Sequence, residues 1–280
     1  MKITRSSETL AGTTVLVEDD TYCLTLYKVG NCFSDSISEI IIELPEYDID
    51  NVSDIDTEKM FNLAKRQYED MKSILGIGNA LTDILAFLPN ASLLKQYRLP
   101  LGSMQHVDME TGDRVWASLK KIGVQYVPGG SAANTITCTS IFGMPSGYIG
   151  KIGNDELGKL FKSSMKQYGV KTTMFVGSKS SGRCMVFITG PNAERTFASY
   201  LGAALEMVPE ELKPEYFEGY DYFHIEGYLV QNQDLISKAV QMAKDAGCII
   251  SLDMASYNVV ESNSAFLHNL VDKYVDIVFA

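Results

Sequence analysis

The sequence predicts an α/β protein built on a parallel sheet with helices on both faces, behind a small α+β segment at the N-terminus. Three observations predict it. From residue 71 onward, apolar strand-like runs alternate with amphipathic helix-like runs. The charge breaks at the same place: residues 1–70 hold 15 Asp/Glu against 6 Lys/Arg, a net of −9 out of −11 for the chain, which leaves −2 for the rest. Residue 71 also opens like the start of a protein, with a Met and a Lys ahead of a buried-strand pattern, MKSILGIGN.

In the N-terminal segment, TTVLVEDDTYCLTLYKV at 13–29 reads as two strands around a Glu-Asp-Asp turn, and SEIIIEL at 38–44 as a third. DTEKMFNLAKRQYEDMK at 56–72 reads as an amphipathic helix with Asp56 as its N-cap. Residues 1–70 are expected to form an acidic extension or small fused module, and 71–280 a separate domain.

That domain reads in order as follows. SILGIGNAL is a strand, SAANTITCTSIF a helix and SGYIGKIG a strand. DELGKLFKSSMKQYG is a helix closed by Gly169. TTMFVG, GRCMVFIT and RTFASYL read as strands, as does DYFHIEGYL. DLISKAVQMAKDAG is a helix ending at Gly247. CIISLDM is a strand, SAFLHNLVDKY a helix and DIVFA a strand.

Composition narrows the function. A net charge of −11 argues against a nucleic-acid surface, which shows a basic footprint. No apolar run approaches bilayer length, and the N-terminus lacks the apolar core of a secretory signal. The five cysteines are scattered, with no C-x-x-C, as expected of reduced thiols in a cytoplasmic protein.

In open α/β sheets, ligands sit outside the carboxyl ends of the strands. Four strands here each end in a carboxylate or amide: Asn79 to Asp83 after the first, Asn154 and Asp155 after SGYIGKIG, Glu226 after HIE, and Asp253 after IISL. An Asp or Asn after a strand often only caps a helix, but the coincidence of four favours a polar site. In VPGGSAANTITCTSIFG, the pair Gly129 and Gly130 lets backbone approach a ligand, and Asn134 offers a donor and an acceptor one turn later. The flanking residues include no Lys or Arg, which suits a neutral, hydroxyl-rich ligand such as a sugar. Asp83 can accept two hydroxyl donors of a vicinal diol. Valine at position 130 is expected to lose binding with modest loss of folding.

Other motifs fail. GIGNAL lacks the third glycine of a dinucleotide fingerprint, and no P-loop is present. His106, His224 and His268 lack metal-ligand spacing, His224 reads as a structural strand histidine, and Trp116 as a packing residue.

Together these residues resemble the PfkB (ribokinase-like) family of carbohydrate and nucleoside kinases. GNALTD, GGSAANT, FGMPSGYIGKIGNDELG, YGV, ERTFASYLGAA, HIEGYL and SLDMASYN carry the resemblance, which covers 71–280 and leans toward the adenosine-kinase-like branch. It implies a ribokinase-like parallel sheet flanked by helices, with a small β-sheet lid over the sugar. It implies transfer of the ATP γ-phosphoryl group, with Mg2+, to a hydroxymethyl group of adenosine or a ribose-like acceptor. Asn79, Asp83, Gly129, Gly130, Asn134 and Glu226 fall where the family lines its sugar pocket, and Arg195 where adenosine-kinase-like members have a lid arginine. The lid of such proteins often mediates a homodimer.

The family's second signature, D-T-x-G-A-G-D, supplies the general base and anion hole, and it does not occur in these residues. The base is therefore expected beyond Ala280, and 71–280 is expected to be the N-terminal and central part of a kinase domain, truncated and inactive alone. The alternative is a non-catalytic sugar-binding or interaction protein derived from a kinase.

Overall fold

The computed structural model describes residues 72–280 in full and, ahead of them, the backbone of three strands. Those strands are β1 (Thr14–Asp19), β2 (Tyr22–Lys28) and β3 (Ile40–Glu43). They form their own antiparallel sheet, ordered β1-β2-β3, with Asp19 opposite Tyr22 across the expected turn. The helix expected at 56–72 lies outside the described residues.

The main sheet has six strands, all paired in parallel. They are β4 (Ile74–Ile77), β8 (Ser146–Ile152), β9 (Lys171–Val176), β12 (Tyr222–Ile225), β13 (Ile249–Asp253) and β14 (Ile277–Phe279). Their order is β14-β13-β12-β4-β8-β9. Parallel strands need cover on both faces, and the apolar runs of β4 and β8 are buried throughout. One face packs Ile74 and Tyr148 against Ala133, Ile136, Phe161 and Met165 of helices α3 (Ser131–Ile141) and α4 (Glu156–Gln167). The other packs Leu75, Ile77, Phe223 and Ile250 against Leu235, Ala239, Val240 and Leu267 of helices α5 (Gln233–Asp245) and α7 (Ser264–Lys273). A short helix, α6 (Tyr257–Ser262), precedes α7.

A second sheet of five strands stands beside the carboxyl ends of β4 and β8. Its order is β6-β11-β10-β5-β7: β5 (Leu81–Leu88), β6 (Met104–His106), β7 (Gln125–Gly129), β10 (Gly182–Thr189) and β11 (Glu194–Tyr200). Pro128 sits in edge strand β7, where a missing N–H is tolerated. Helices α1 (Ser92–Gln96) and α2 (Met109–Leu119) cover one face, with Leu94, Val115 and Leu119 against Ile84, Met185 and Phe187. The opposite face is left for the site.

The structure corrects one reading. SILGIGNAL is not a single strand that carries Asp83 at its end. The chain leaves the parallel sheet after Ile77, turns through Gly78, Asn79 and Ala80, and enters β5 of the second sheet at Leu81. A Cβ on Gly78 would fall 2.7 Å from a Glu226 oxygen and 2.8 Å from the Ala132 methyl, so the turn needs glycine there. Gly169 and Gly247 follow α4 and α5 with φ of +79° and +81°, as helix-closing glycines do.

Candidate functional site

A cavity of about 300 Å³ opens between the two sheets, at the small end of the usual range for small-molecule sites. Its polar end is built from the turn after β4, the end of β12 and the start of α3. Glu226 follows β12, and its backbone N–H donates to Ile77 O at 3.0 Å, which places the side chain beside the Asn79 turn. Asn79 Nδ2 donates to Glu226 Oε1 at 2.6 Å, and the Asn79 backbone N–H to the same oxygen at 3.3 Å. The Ala132 N–H donates to Glu226 Oε2 at 3.2 Å. Helix α3 has glycine at its N-cap and no side-chain cap of its own, so Glu226 satisfies a first-turn amide that would otherwise be unpaired. Burial pushes Glu226 above the ordinary carboxylate range, and the charge of Asp253 adds to the rise; the bonds from Asn79 and Ala132 oppose it.

Gly130 has φ of +98°, and a Cβ there would stand 2.5 Å from the Asn79 carbonyl oxygen. Both facts demand glycine. Gly129 is required for a different reason. It pairs with Leu81 in β5, and a Cβ on it would collide with the Asp83 carboxylate.

Asp83 lines the cavity from β5. Its carboxylate takes part in no hydrogen bond or ion pair among the described residues, and burial alone raises its pKa from 3.8 to about 6. Two fully buried polar atoms among the residues lining the cavity are also without partners: Asn79 Oδ1 and Ser131 Oγ. Buried polar groups are nearly always hydrogen-bonded, so these two atoms, together with the half-buried Asp83 carboxylate, are what a hydroxyl-bearing ligand would complete. Asn134 lines the same cavity with an exposed side chain.

The remaining walls are mostly apolar: Leu81, Met104, Phe197, Leu201 and Leu205, with Tyr228 beside them. Cys184 joins them from β10; burial pushes its thiol up to about 12, with the charge of Asp83 adding to it. A larger cavity of about 590 Å³ adjoins, sharing Asn79, Leu205, Tyr228 and Gln231 with the first.

Of the residues expected at the site, the structure gathers Asn79, Asp83, Gly130, Asn134 and Glu226 around one cavity, with Gly129 directly behind Asp83. Arg195 is not among them. It lies in β11 opposite Ile188, exposed, two residues before the cavity-lining Phe197. Of the four strand ends, two are turned to structural use. Asp155 caps α4, accepting from Gly158 N at 2.9 Å, and ties it to Ser181 ahead of β10. Asp253 accepts from Ala255 N at 2.9 Å.

His224 is a buried strand residue, as expected, with Nδ1 2.9 Å from Ser251 Oγ; burial lowers its pKa. Trp116 packs, with Lys120 over its ring at 3.9 Å and Arg183 at 5.1 Å. The lid residues His106, Phe197 and Ser199 and the Ser131 hydroxyl were not predicted. RTFASYL holds a period-two signal that places Phe197 and Ser199 on one face, but three-residue β6 holds none.

The family model for pfkB family carbohydrate kinases matches residues 103–280. The chain belongs to the pfkB family of carbohydrate kinases. The match begins after Asn79 and Asp83, so their place in this pfkB site rests on the geometry above. Among curated relatives, a fructokinase of Solanum tuberosum is 28% identical over 137 residues, 47% of this chain and 43% of that protein. A 5-dehydro-2-deoxygluconokinase of Halalkalibacterium halodurans is 29% identical over 161 residues, 54% of this chain and 48% of that protein. The pfkB chain thus spans about half the length of the curated relatives it matches. The crystal structure of adenosine kinase from Sinorhizobium meliloti superposes with a TM-score of 0.66 at 28% identity, over 75% of this chain and 64% of that one. These likenesses agree with a parallel sheet flanked by helices. No helix among the described residues is long and apolar enough to cross a membrane.

Proposed function

We propose that this chain supplies the substrate-binding part of a kinase that phosphorylates a hydroxymethyl group of a ribosyl compound, with adenosine ahead of ribose or another free sugar. The observation that carries the reading is Asp83: a half-buried carboxylate without a partner, lining a cavity that also holds the buried, unpartnered Asn79 Oδ1 and Ser131 Oγ. A charged acceptor held in this way binds vicinal hydroxyls and rejects analogues that lack them. Asn79, Glu226 and Asn134 would hold the remaining hydroxyls, and Gly129 and Gly130 make room for the carboxylate and the turn. The apolar walls, Phe197 and Met104 among them, favour a base-bearing ligand over a free sugar, and the likeness to an adenosine kinase supports this. Residues 71–280 form the kinase-like domain in this reading, and 1–70 a separate module.

ATP and Mg2+ belong to the reading through the family. Among the described residues no group of three or more His, Cys, Asp or Glu is placed together, and neither of these two cavities is lined by Lys or Arg, so no described residue is assigned to ATP or Mg2+. No step is therefore assigned through either. D-T-x-G-A-G-D does not occur in the 280 residues, and phosphoryl transfer depends on positioned charge, so these residues are proposed to bind substrate without turning it over.

Two assays test this. Calorimetric titration with adenosine, ribose and fructose is expected to show saturable binding, tightest for adenosine; no binding of any of them would contradict the site. ADP release with ATP, Mg2+ and the same compounds is expected to stay at background, and substrate-dependent release would contradict the binding-only reading.

A further inference from the structure

Four strands of the lid sheet carry one continuous row of side chains across the roof of the cavity. Asp83 of β5 pairs with Cys184 of β10, Cys184 with Ser199 of β11, and Ser199 with His106 of β6. Residues directly opposite one another in a sheet share a face, and all four line the cavity. The two middle members are already engaged with each other: Ser199 Oγ lies 3.1 Å from Cys184 Sγ, and both are buried. The two ends are not. Neither Asp83 nor His106 has a side-chain hydrogen bond or ion pair among the described residues, and His106 is exposed at the edge strand.

Three strand spacings of roughly 4.8 Å separate the backbones of Asp83 and His106, about 14 Å in all. A single sugar ring engages one end of such a row and leaves the other unmet. A ligand with a hydroxyl-bearing ring at one end and a hydrogen-bonding heterocycle at the other can meet both. The surface between suits a flat ring: Phe197 and Met104 form the next row of the same face, paired with each other across β11 and β6. An imidazole donates from one nitrogen and, when neutral, accepts at the other, so it can read a heterocycle edge that presents both functions.

We infer that His106 is a specificity-determining residue, hydrogen-bonding the heterocyclic end of a ribosyl ligand whose hydroxyl end is held at Asp83. The inference rests on the substrate-binding reading above and adds to it the residue that selects a nucleoside over a bare riboside. His106 acts on binding; it touches no reacting atom in this assignment.

The test is calorimetric titration of the 280-residue chain with adenosine and with methyl β-ribofuranoside, which keeps the furanose ring and removes the base. His106→Ala is expected to weaken adenosine about tenfold, a loss of about 1.4 kcal/mol, and to leave the riboside unchanged. His106→Gln keeps a donor and an acceptor and is expected to restore most of the adenosine affinity. Because His106 is exposed on an edge strand, both variants should keep the wild-type melting temperature. Equal losses for both ligands, no loss for either, or a Gln variant as weak as the Ala variant would overturn the role of His106 and leave the site standing. Failure of the wild-type chain to bind either ligand would overturn the site and this inference with it.

Discussion

The Asp83 carboxylate occupies the space that a side chain on Gly129 would fill. The two residues face each other across β5 and β7, offset by two positions, since Gly129 pairs with Leu81 and Asp83 with Val127. The glycine is therefore kept for the carboxylate rather than for a turn, and it makes a fine lever on the site. Gly129→Ala should displace Asp83, because the far end of a flexible side chain yields more readily than backbone. Adenosine affinity is expected to fall by roughly 1–3 kcal/mol with little change in melting temperature. Calorimetry and a thermal scan on the same protein check both halves; unchanged affinity would show that the position of the carboxylate does not matter.

Gly130 should behave differently from its neighbour. Its φ of +98° and its approach to the Asn79 carbonyl oxygen leave no room for any Cβ, and the obstacle is backbone. Gly130→Val is expected to cost about 2–4 kcal/mol of stability as well as binding. The sequence alone suggests only a modest folding cost, because it does not show that the turn after β4 passes so close. Denaturant unfolding measures the difference, and a stability within about 0.5 kcal/mol of wild type would contradict the geometry.

Asp83 also makes a stability prediction with a definite sign. Its pKa is about 6 in the folded chain against 3.8 as its ordinary value. Between those values the folded state holds the proton more tightly than the unfolded state, so stability falls as pH rises from about 4 and the loss is complete above about 6. Asp83→Asn removes the titration. The variant should be more stable than wild type at pH 7.5, by at most about 3 kcal/mol, with the advantage shrinking toward pH 4. Thermal scans across that range check it; a constant difference at every pH would contradict the assignment.

Much of this molecule was readable from residues, and the failures have physical causes. The main-sheet strands are short apolar runs closed by turn residues, and the alternation with helices identified them. LTDILAFL was harder. Its buried set, Thr82, Ile84, Ala86 and Leu88, alternates with a set that is itself largely apolar, Leu81, Leu85 and Phe87, so no polar face marked a second sheet. Asp83 lines the cavity from within β5, not from the end of a parallel strand, which is the place its spacing after SILGIGN suggests. Asp155 and Asp253 share the same strand-end signal but serve structure instead, Asp155 capping α4 and bonding Ser181, and Asp253 accepting from the Ala255 backbone. Arg195 falls on the cavity-side parity of β11, with Phe197 and Ser199, yet stands beyond the lining; parity fixes the face and not the reach. His106 lies in a strand too short to show any period.

The N-terminal sheet pairs only within itself among the described strands, and we propose that residues 1–70 are dispensable for the site. A chain begun at Met71 is expected to fold and to bind adenosine within about threefold of the full 280 residues. Loss of soluble expression or of binding would show that residues 1–70 are integral to the kinase-like domain.

The central claim, that the unpartnered, half-buried Asp83 carboxylate grips the hydroxyls of the ligand, is tested most directly by the pH dependence of adenosine affinity. Hydroxyl donors need the ionised form of Asp83, which burial holds back until about pH 6. Calorimetric titration of the wild-type chain from pH 5 to pH 8 should show affinity rising about tenfold through pH 6 and then levelling, since roughly a tenth of the carboxylate is ionised one unit below its pKa. Asp83→Asn should bind weakly and show no such rise. A wild-type affinity that is flat across this range, or a rise that persists in Asp83→Asn, would contradict the account.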